Sequence, residues 1–382
     1  MALGVAVLGC TGSIGRSALS VLDRHSDMFR VVALAANRNA EELAACARRY
    51  RPALTVLVDA DAAEGTQDGV HMRTGRGALL DAATHPDADI VLNAVVGAAG
   101  LEATLAALSA GKRLALANKE SLVVGGPLVL EALRSGRGEL VPVDSEHSAI
   151  LQCLQGANED AVRRIVLTAS GGPFRDWSPE QIASATPRDA LRHPTWAMGA
   201  KITVDSASLA NKALEVIEAH HLFSLSYDDI EVVVHPQSIV HSMVEFVDGS
   251  VLAQLGFPTM ELPILYALTH PRRLPDAGTR AFDPVAAAEL TFQPIAEGRF
   301  PAFRLGVEAG RAGGTSPAVY NAANEVAVAG FLEGRLSFPA IAEVIETVLS
   351  AHDVADIDSL DSVLDADRRA RAAALEALRT RC

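Results

Sequence analysis

Seven residues, Gly9-Cys10-Thr11-Gly12-Ser13-Ile14-Gly15, constrain this chain more than any other stretch. They follow the nearly continuous apolar run "ALGVAVL" and precede "RSALSVLDRH", which reads as a helix. A strand buried on both faces shows such a run. The glycines permit a tight turn and let the backbone approach a pyrophosphate, which rests on the N-terminus of the next helix. The bland alternative is a tight turn with no ligand. The flanking strand and helix favour the dinucleotide site.

The pattern then repeats. "FRVVALAA" reads as a strand and "AEELAACARRY" as a helix; "ADIVLNAVVG" is a strand, "GLEATLAALSAG" a helix and "KRLALA" a further strand. Such alternation implies an α/β domain with a parallel, doubly wound sheet of the Rossmann type. Enzymes that use NAD usually carry an acid after the second strand, bound to the ribose 2′-hydroxyl. Here the residues are Asn37-Arg38-Asn39, and Arg38 can pair with a 2′-phosphate, so NADPH is the expected cofactor. Asn118, Lys119 and Glu120 follow "KRLALA", which places them at a strand C-terminus on the ligand-binding edge of the sheet.

From residue 144 the rhythm is lost. "PVDSEHSAI" puts Asp144, Ser145, Glu146 and His147 at the mouth of a strand. Two readings stand open: a helix start with Asp and Ser capping and Glu in the first turn, or half of a metal site. "RRIVLTASGGPF" is a strand ending at Ser170. A segment with four prolines (Pro173, Pro179, Pro187, Pro194) and little periodicity follows. Such segments are often lids, and Trp196 and Met198 suit a flap that excludes water. "VDSASLANKALEVIEAHHLF" reads as one helix with Ser206 near its start. Asn211 and Glu215 share a face of it, with Lys212 close by. Hydroxyls, an amide and a lysine there suit a phosphate. Spacing alone favours an ordinary surface ion pair between Lys212 and Glu215. "IEVVVHPQSIVHSMVEFVDGSVLAQLGFP" reads as antiparallel strands with Asp248-Gly249 as a hairpin turn. His235 and His241 read as core or supporting residues, with no ligand partner at metal spacing. The chain from about residue 303 reads as helical.

The net charge of −14 argues against nucleic acid or an anionic membrane surface as partner. An anionic substrate therefore needs a local basic cluster. Cys10, Cys46, Cys153 and Cys382 show neither CxxC nor zinc spacing and read as reduced thiols of a cytoplasmic protein. No apolar run reaches membrane length, and the first residues read as a strand rather than a signal peptide.

"GCTGSIG", "ANKESLV", "PVDSEHSAI", "LTASGGPFR", "HPTWAMGAKITVDSASLANKALEVIEA", "HPQSIVHSMVEFVDGSVLAQLG" and "NAANEVAV", in this order, resemble the 1-deoxy-D-xylulose 5-phosphate reductoisomerase family over nearly the whole chain. The resemblance implies NADPH-dependent rearrangement and reduction of that sugar phosphate to 2-C-methyl-D-erythritol 4-phosphate. It implies metal ligands at Asp144, Glu146 and Glu215, a set that suits Mg²⁺ or Mn²⁺. Two like charges ~5 Å apart at an effective dielectric near 20 repel by roughly 3 kcal/mol, so converging acids need a cation or protonation. Lys119 and His193 are implied in catalysis beside the three acids. Substrate contacts fall on Lys119, Ser145, Glu146, Ser170, His193, Ser206, Asn211, Lys212 and Glu215, with Trp196 and Met198 in the covering flap. Cofactor contacts fall on Thr11, Gly12, Ser13, Ile14, Asn37, Arg38, Asn39, Asn118, Glu120 and Gly199.

The resemblance also implies a homodimer. It implies an NADPH-binding domain over 1–143, an α+β catalytic and metal-binding domain over 144–275 with a lid near 171–199, a linker over 276–302 and a helical domain over 303–382. Four residues depart from the family pattern: Asn37 and Ala213 where Gly is usual, and Thr259 and Glu261 where Asp and Arg are usual. Two other functions compete. A generic NADP-dependent dehydrogenase leaves Asp144, Glu146 and Glu215 without a task and would survive metal chelation. A non-catalytic NADP sensor would bind NADPH and turn over no sugar phosphate.

Overall fold

The computed structural model describes residues 2–63, 69–196, 198–296 and 298–380. Two compact units share the chain discontinuously. The first comprises Met1–Ser121, Val129–Ser148 and Thr259–Arg280, and the second Leu122–Leu128, Ala149–Pro258 and Ala281–Cys382.

The first unit holds seven strands: β1 (Leu3–Leu8), β2 (Phe29–Ala36), β3 (Leu54–Leu57), β4 (Arg73–Thr74), β5 (Ile90–Asn93), β6 (Arg113–Leu116) and β7 (Glu139–Pro142). Their order is β4-β3-β2-β1-β5-β6-β7, and every neighbouring pair is parallel. This is the doubly wound sheet expected from the βα alternation. Val5, Val7 and Leu8 of β1, Leu34 of β2 and Leu92 of β5 are wholly buried, which is why these strands read as unbroken apolar runs. The winding reverses between β1 and β5, where Leu8 pairs with Asn93, so a crevice opens beyond their C-termini.

Residues 259–280 complete this unit. The helix Glu261–Thr269 packs on the helix Ser13–Arg24. Arg24 donates to both oxygens of Asp276 at 2.7 and 2.8 Å and to Glu261 at 2.6 Å. The Arg24 guanidinium holds the Asp276 carboxyl down at about 2. The Thr259 hydroxyl accepts from the Glu261 amide at 3.2 Å. Thr259 and Glu261, two of the departures, thus have local work here.

The second unit holds a sheet of order β11-β10-β8-β9-β12, formed by β8 (Val162–Ala169), β9 (Ile230–Val234), β10 (Val240–Phe246), β11 (Val251–Leu255) and β12 (Gln293–Pro294). The reading of residues 230–258 as wholly antiparallel needs correction. β9 runs parallel to β8, and β10 lies on the other side of β8, antiparallel to it and to β11. The helices between β8 and β9 act as a crossover, which returns the chain in the same direction.

The single helix expected over 204–223 is two, Ala200–Ser208 and Ala210–Phe223, broken at Leu209 in the left-handed region (φ 56°). That conformation is costly for leucine. Burial of its side chain with Ala169 and Phe300 offsets the cost. Val216 and Ala219 of the second helix pack on Ile165, Leu167, Ile230 and Val244 of the sheet. Ala213 is wholly buried, and a Cβ added at Gly306 would stand 2.5 Å from its methyl. The methyl that departs from the family pattern therefore fits because residue 306 is glycine. The C-terminal helices Pro301–Ala312, Ser316–Leu332, Phe338–Ser350 and Leu360–Arg379 match the expected helical tail.

The proline-rich segment is more regular than its composition suggests. It carries helices Pro179–Ala183 and Pro187–Ala190, each opened by a capping box, from Ser178 with Gln181 and from Thr186 with Asp189. Phe174 is buried against Trp177 and Phe338, and Arg299 donates to its carbonyl at 2.8 Å. Cys382 and Ala197 lie outside the described residues.

Candidate active site

In the first unit the glycine loop leaves β1 at the switch point. Gly9 has φ +87°, and a Cβ at Gly15 would meet the Gly9 carbonyl at 2.3 Å, so both positions are held to glycine by backbone geometry. The amides of Gly9 and Cys10 donate to the Ala35 carbonyl at 2.8 and 2.9 Å. Thr11, Gly12, Ser13 and Ile14 remain accessible. The helix Ser13–Arg24 starts at Gly12 with no side-chain cap and no acid in its first turn. Such an end suits an anion.

Asn37, Arg38 and Asn39 are exposed just beyond β2. The Arg38 Nε meets the Asp59 carboxylate at 3.0 Å. Asn39 caps the helix Ala40–Tyr50, accepting from the Glu42 amide at 3.2 Å. Asn118, beyond β6, is buried. Its amide group donates to the carbonyls of Val95 and Gly97 at 2.7 and 2.9 Å and to Glu120 at 3.0 Å, and its oxygen accepts from the Ser121 amide. The Asn118 side chain is thus occupied with fixing the loop after β5, a task the sequence reading missed. Asn118 directly ahead of the helix that carries Ser121 was the available signal, since Asn is a preferred N-cap.

The helix start read from "PVDSEHSAI" is present, and its acids have further partners. A helix, Ser145–Cys153, does begin after Asp144, and Asp144 accepts from the Glu146 amide at 3.3 Å as a cap would. Yet Asp144 also meets the buried Lys119 ammonium at 2.9 Å, and the Ser145 hydroxyl donates to Glu146 at 2.5 Å. His147, wholly buried, has Nδ1 3.5 Å from Asp144.

In the second unit Lys212 and Glu215 form an ion pair at 4% and 1% exposure, so the surface pair favoured by spacing is corrected. Lys212 also donates to the Thr168 carbonyl at 2.5 Å, and the Asn211 amide donates to Glu215. An ion pair out of water costs several kcal/mol of desolvation per charge, so a purely structural pair is a poor use of such a position.

His193 accepts at Nδ1 from the amides of Trp196 (2.8 Å) and Thr195 (3.1 Å). In the neutral ring Nε2 then carries the proton, and it lies 3.0 Å from the Ser170 hydroxyl and 3.1 Å from that of Ser206. Burial, helped by Arg175, pushes the His193 pKa down to about 4, so the ring is neutral at pH 7. His193 thus joins two hydroxyls that lie far apart in sequence. Trp196 and Met198 are half-buried, with the Trp196 ring 6.4 Å from that of His241. Gly199 caps the helix Ala200–Ser208. His235 is a core residue: Nδ1 donates to the Thr291 carbonyl at 2.8 Å and Nε2 accepts from the amides of Ile239 and Val240.

A glycine loop at the switch point of a doubly wound sheet, with buried lysine–carboxylate pairs and a serine–histidine–serine cluster elsewhere on the chain, defines a dinucleotide-dependent enzyme of the α/β class. Three family models match: 1-deoxy-D-xylulose 5-phosphate reductoisomerase over residues 5–126, its C-terminal domain over 140–223, and the DXP reductoisomerase C-terminal domain over 255–373. The 1-deoxy-D-xylulose 5-phosphate reductoisomerase of Symbiobacterium thermophilum is 52% identical, covering 98% of this chain and 99% of its own. That of Heliobacterium modesticaldum is 51% identical over 97% and 96%. The Zymomonas mobilis enzyme solved in complex with NADPH has a TM-score of 0.90 at 44% identity, covering 99% of both chains. A DOX-P reductoisomerase solved with NADPH, fosmidomycin and magnesium has a TM-score of 0.93 at 37% identity, covering 99% of this chain and 98% of its own. The chain belongs to the 1-deoxy-D-xylulose 5-phosphate reductoisomerase family.

Proposed function

We propose that this protein converts 1-deoxy-D-xylulose 5-phosphate to 2-C-methyl-D-erythritol 4-phosphate, with NADPH as reductant and Mg²⁺ or Mn²⁺ as cofactor. The observation that supports this most is the pair of buried lysine–carboxylate contacts, Lys119 with Asp144 at 2.9 Å and Lys212 with Glu215. Asp144, Glu146 and Glu215 offer only hard oxygen donors, which fit either cation. When bound, the cation supplies Lewis-acid polarisation of the substrate's oxygens and NADPH supplies the hydride.

The remaining roles belong to the chain's own residues. Lys119, released from Asp144, faces the substrate's oxygens beside Ser145 and Glu146. Lys212, released from Glu215, joins Asn211, Ser170 and Ser206 around the phosphate. Neutral His193 donates from Nε2 and holds the two serine hydroxyls in place. The reaction rearranges the carbon skeleton to an aldehyde and then reduces it. Thr11, Gly12, Ser13, Ile14, Asn37, Arg38, Asn39, Asn118, Glu120 and Gly199 contact NADPH, Asn118 chiefly by shaping the loop. On this reading residues 1–143 serve the cofactor, 144–275 catalysis, 276–302 as linker and 303–382 as support.

Omitting the metal from an NADPH-oxidation assay with 1-deoxy-D-xylulose 5-phosphate tests the whole reading. Turnover that persists after chelation would favour a plain dehydrogenase, and NADPH binding without turnover a sensor. Arg38→Asp tests the cofactor. A charge-assisted contact is worth roughly 1.5–3 kcal/mol, so NADPH efficiency should fall about ten- to a hundredfold with NADH less affected. Equal losses with both cofactors would sink this assignment.

Residues 171–199 act as a lid, with Trp196 and Met198 over the substrate. Hydrogen exchange across 191–196 should slow when NADPH and a phosphonohydroxamate are bound, and unchanged exchange there would remove the lid. The protein is a cytoplasmic homodimer on this reading. Val251 and Leu252, 52% and 50% exposed on the edge strand β11, give a second copy apolar surface to cover. Among the described residues, Cys10, Cys46 and Cys153 form no disulfide, which suits a reducing compartment. Sedimentation of the purified chain as a monomer would overturn the dimer.

A further inference from the structure

The stretch "NAANEVAV" supplies none of the substrate or cofactor contacts, yet it buries two polar side chains completely, Asn321 and Asn324 of the helix Ser316–Leu332. The two have different tasks. Asn321 donates to Glu325 at 3.0 Å, and Glu325 accepts from Arg371 at 2.7 Å, so this asparagine belongs to a tie within the helical tail. Asn324 instead reaches 119 residues back along the chain, where its amide nitrogen donates to Asp205 Oδ1 at 2.8 Å. Asp205 is 1% exposed, and its Oδ2 meets the Lys201 ammonium at 2.8 Å. The Asn324 oxygen has no hydrogen-bond partner among the described residues, so Asp205 alone orients this amide; turned over, it would set two oxygens against each other.

Asp205 directly precedes Ser206 on the helix Ala200–Ser208. Successive residues stand about 100° apart around a helix. One of them therefore faces the helix Ser316–Leu332 while the next faces His193, whose Nε2 lies 3.1 Å from the Ser206 hydroxyl. The helix has nine residues and begins at Gly199 without a side-chain cap. A helix so short needs outside contacts to hold its shape and place. At its far end a Cβ on Gly172 would stand 2.5 Å from the Ser206 carbonyl, and Leu209 is buried with Ala169 and Phe300. These contacts limit where the helix lies. The bond from Asn324 to Asp205 is directional and limits how the helix is rotated about its axis. A hydroxyl roughly 4 Å from a helix axis moves about 1 Å for a rotation of about 15°. A misplacement of that size can cost about a hundredfold. An apolar pair would join the two helices without burying a carboxylate, but would not set that angle.

We propose that Asn324 is a positioning residue for the substrate's phosphate: through Asp205 it sets the rotation of the helix that presents the Ser206 hydroxyl. The proposal rests on Ser206 being a phosphate contact.

Full-length Asn324→Ala, Ser206→Ala, their double variant and Arg371→Ala test it together. Asn324→Ala should raise the KM for 1-deoxy-D-xylulose 5-phosphate about tenfold and weaken a phosphonohydroxamate equally, with kcat and the NADPH Kd within about threefold of the parent. Asn324→Ser keeps a donor and should show about a threefold rise, which serves equally if the alanine variant does not fold. The double variant should have the KM of Ser206→Ala within about twofold, because both changes act on one contact. Arg371→Ala cuts the tie within the helical tail, so it should melt earlier and keep the parental KM. A parental KM in both Asn324 variants would overturn the proposal. So would single effects that multiply in the double variant, or an equal rise of KM in Arg371→Ala. A parental KM in Ser206→Ala would overturn the phosphate reading itself, whereas a raised KM there beside a parental one in the Asn324 variants would overturn the positioning alone.

Discussion

Glu215→Gln is expected to lower turnover of 1-deoxy-D-xylulose 5-phosphate by about 10²–10³-fold, the size typical of losing one group that stabilises developing charge. The change keeps side-chain volume and removes the carboxylate charge. Glu215 now accepts from both Lys212 and the Asn211 amide. A glutamine can satisfy only one of these with its oxygen and leaves the buried Lys212 charge unpaired, so stability should fall by about 3–5 kcal/mol while the fold persists. NADPH affinity should stay near that of the parent, and Mg²⁺ or Mn²⁺ affinity should drop. Supplying the rearranged aldehyde separates two versions of the role. If the variant still reduces it well, the cation serves the rearrangement; if not, it also positions the aldehyde. Normal turnover at ordinary metal concentration would leave the Lys212–Glu215 pair as structure alone.

Lys212→Ala should raise the substrate KM about ten- to a hundredfold with NADPH affinity nearly intact, the worth of one or more charge-assisted contacts to phosphate. Its burial adds a second expectation. Removing one member of a buried ion pair strands the other charge and costs about 3–5 kcal/mol. The single variant should therefore melt earlier. Adding Glu215→Gln removes the stranded charge and should recover part of the stability. It should not restore KM. Recovery of both together would mean that the lysine holds the fold and not the phosphate.

The glycine loop and the strands β1, β2, β5 and β6 were legible in the sequence because burial on both faces leaves a continuous apolar signature. β4 was not, at two residues too short to show any pattern, and neither was β3, whose four-residue apolar run Leu54–Leu57 is interrupted by Thr55. The direction of β9 is hidden in its own residues because strand polarity depends on what lies between strands, and the helices that return the chain parallel to β8 carry no local mark of where they lead. Leu209 could not be anticipated, since leucine carries no local preference for φ 56° and the compensating contacts come from Ala169 and Phe300. The site divided in the same way. Asp144, Glu146 and Lys119 could be singled out by their place at strand ends. The burial of Lys212 and Glu215, and the link from His193 to Ser170 and Ser206, depend on folding and leave no trace in spacing.

The closing of the first unit by residues 259–280 bears on how the chain is made. A ribosome releases residues N-terminus first, so the seven-stranded sheet emerges with the outer face of its first helix uncovered and with Arg24 lacking Asp276 and Glu261. Its missing piece arrives only after all of residues 149–258 have left the tunnel. The nascent nucleotide-binding half must wait, open on that side, until most of the other half's sheet is also present. Vectorial synthesis thereby ties the completion of one half to the arrival of the other.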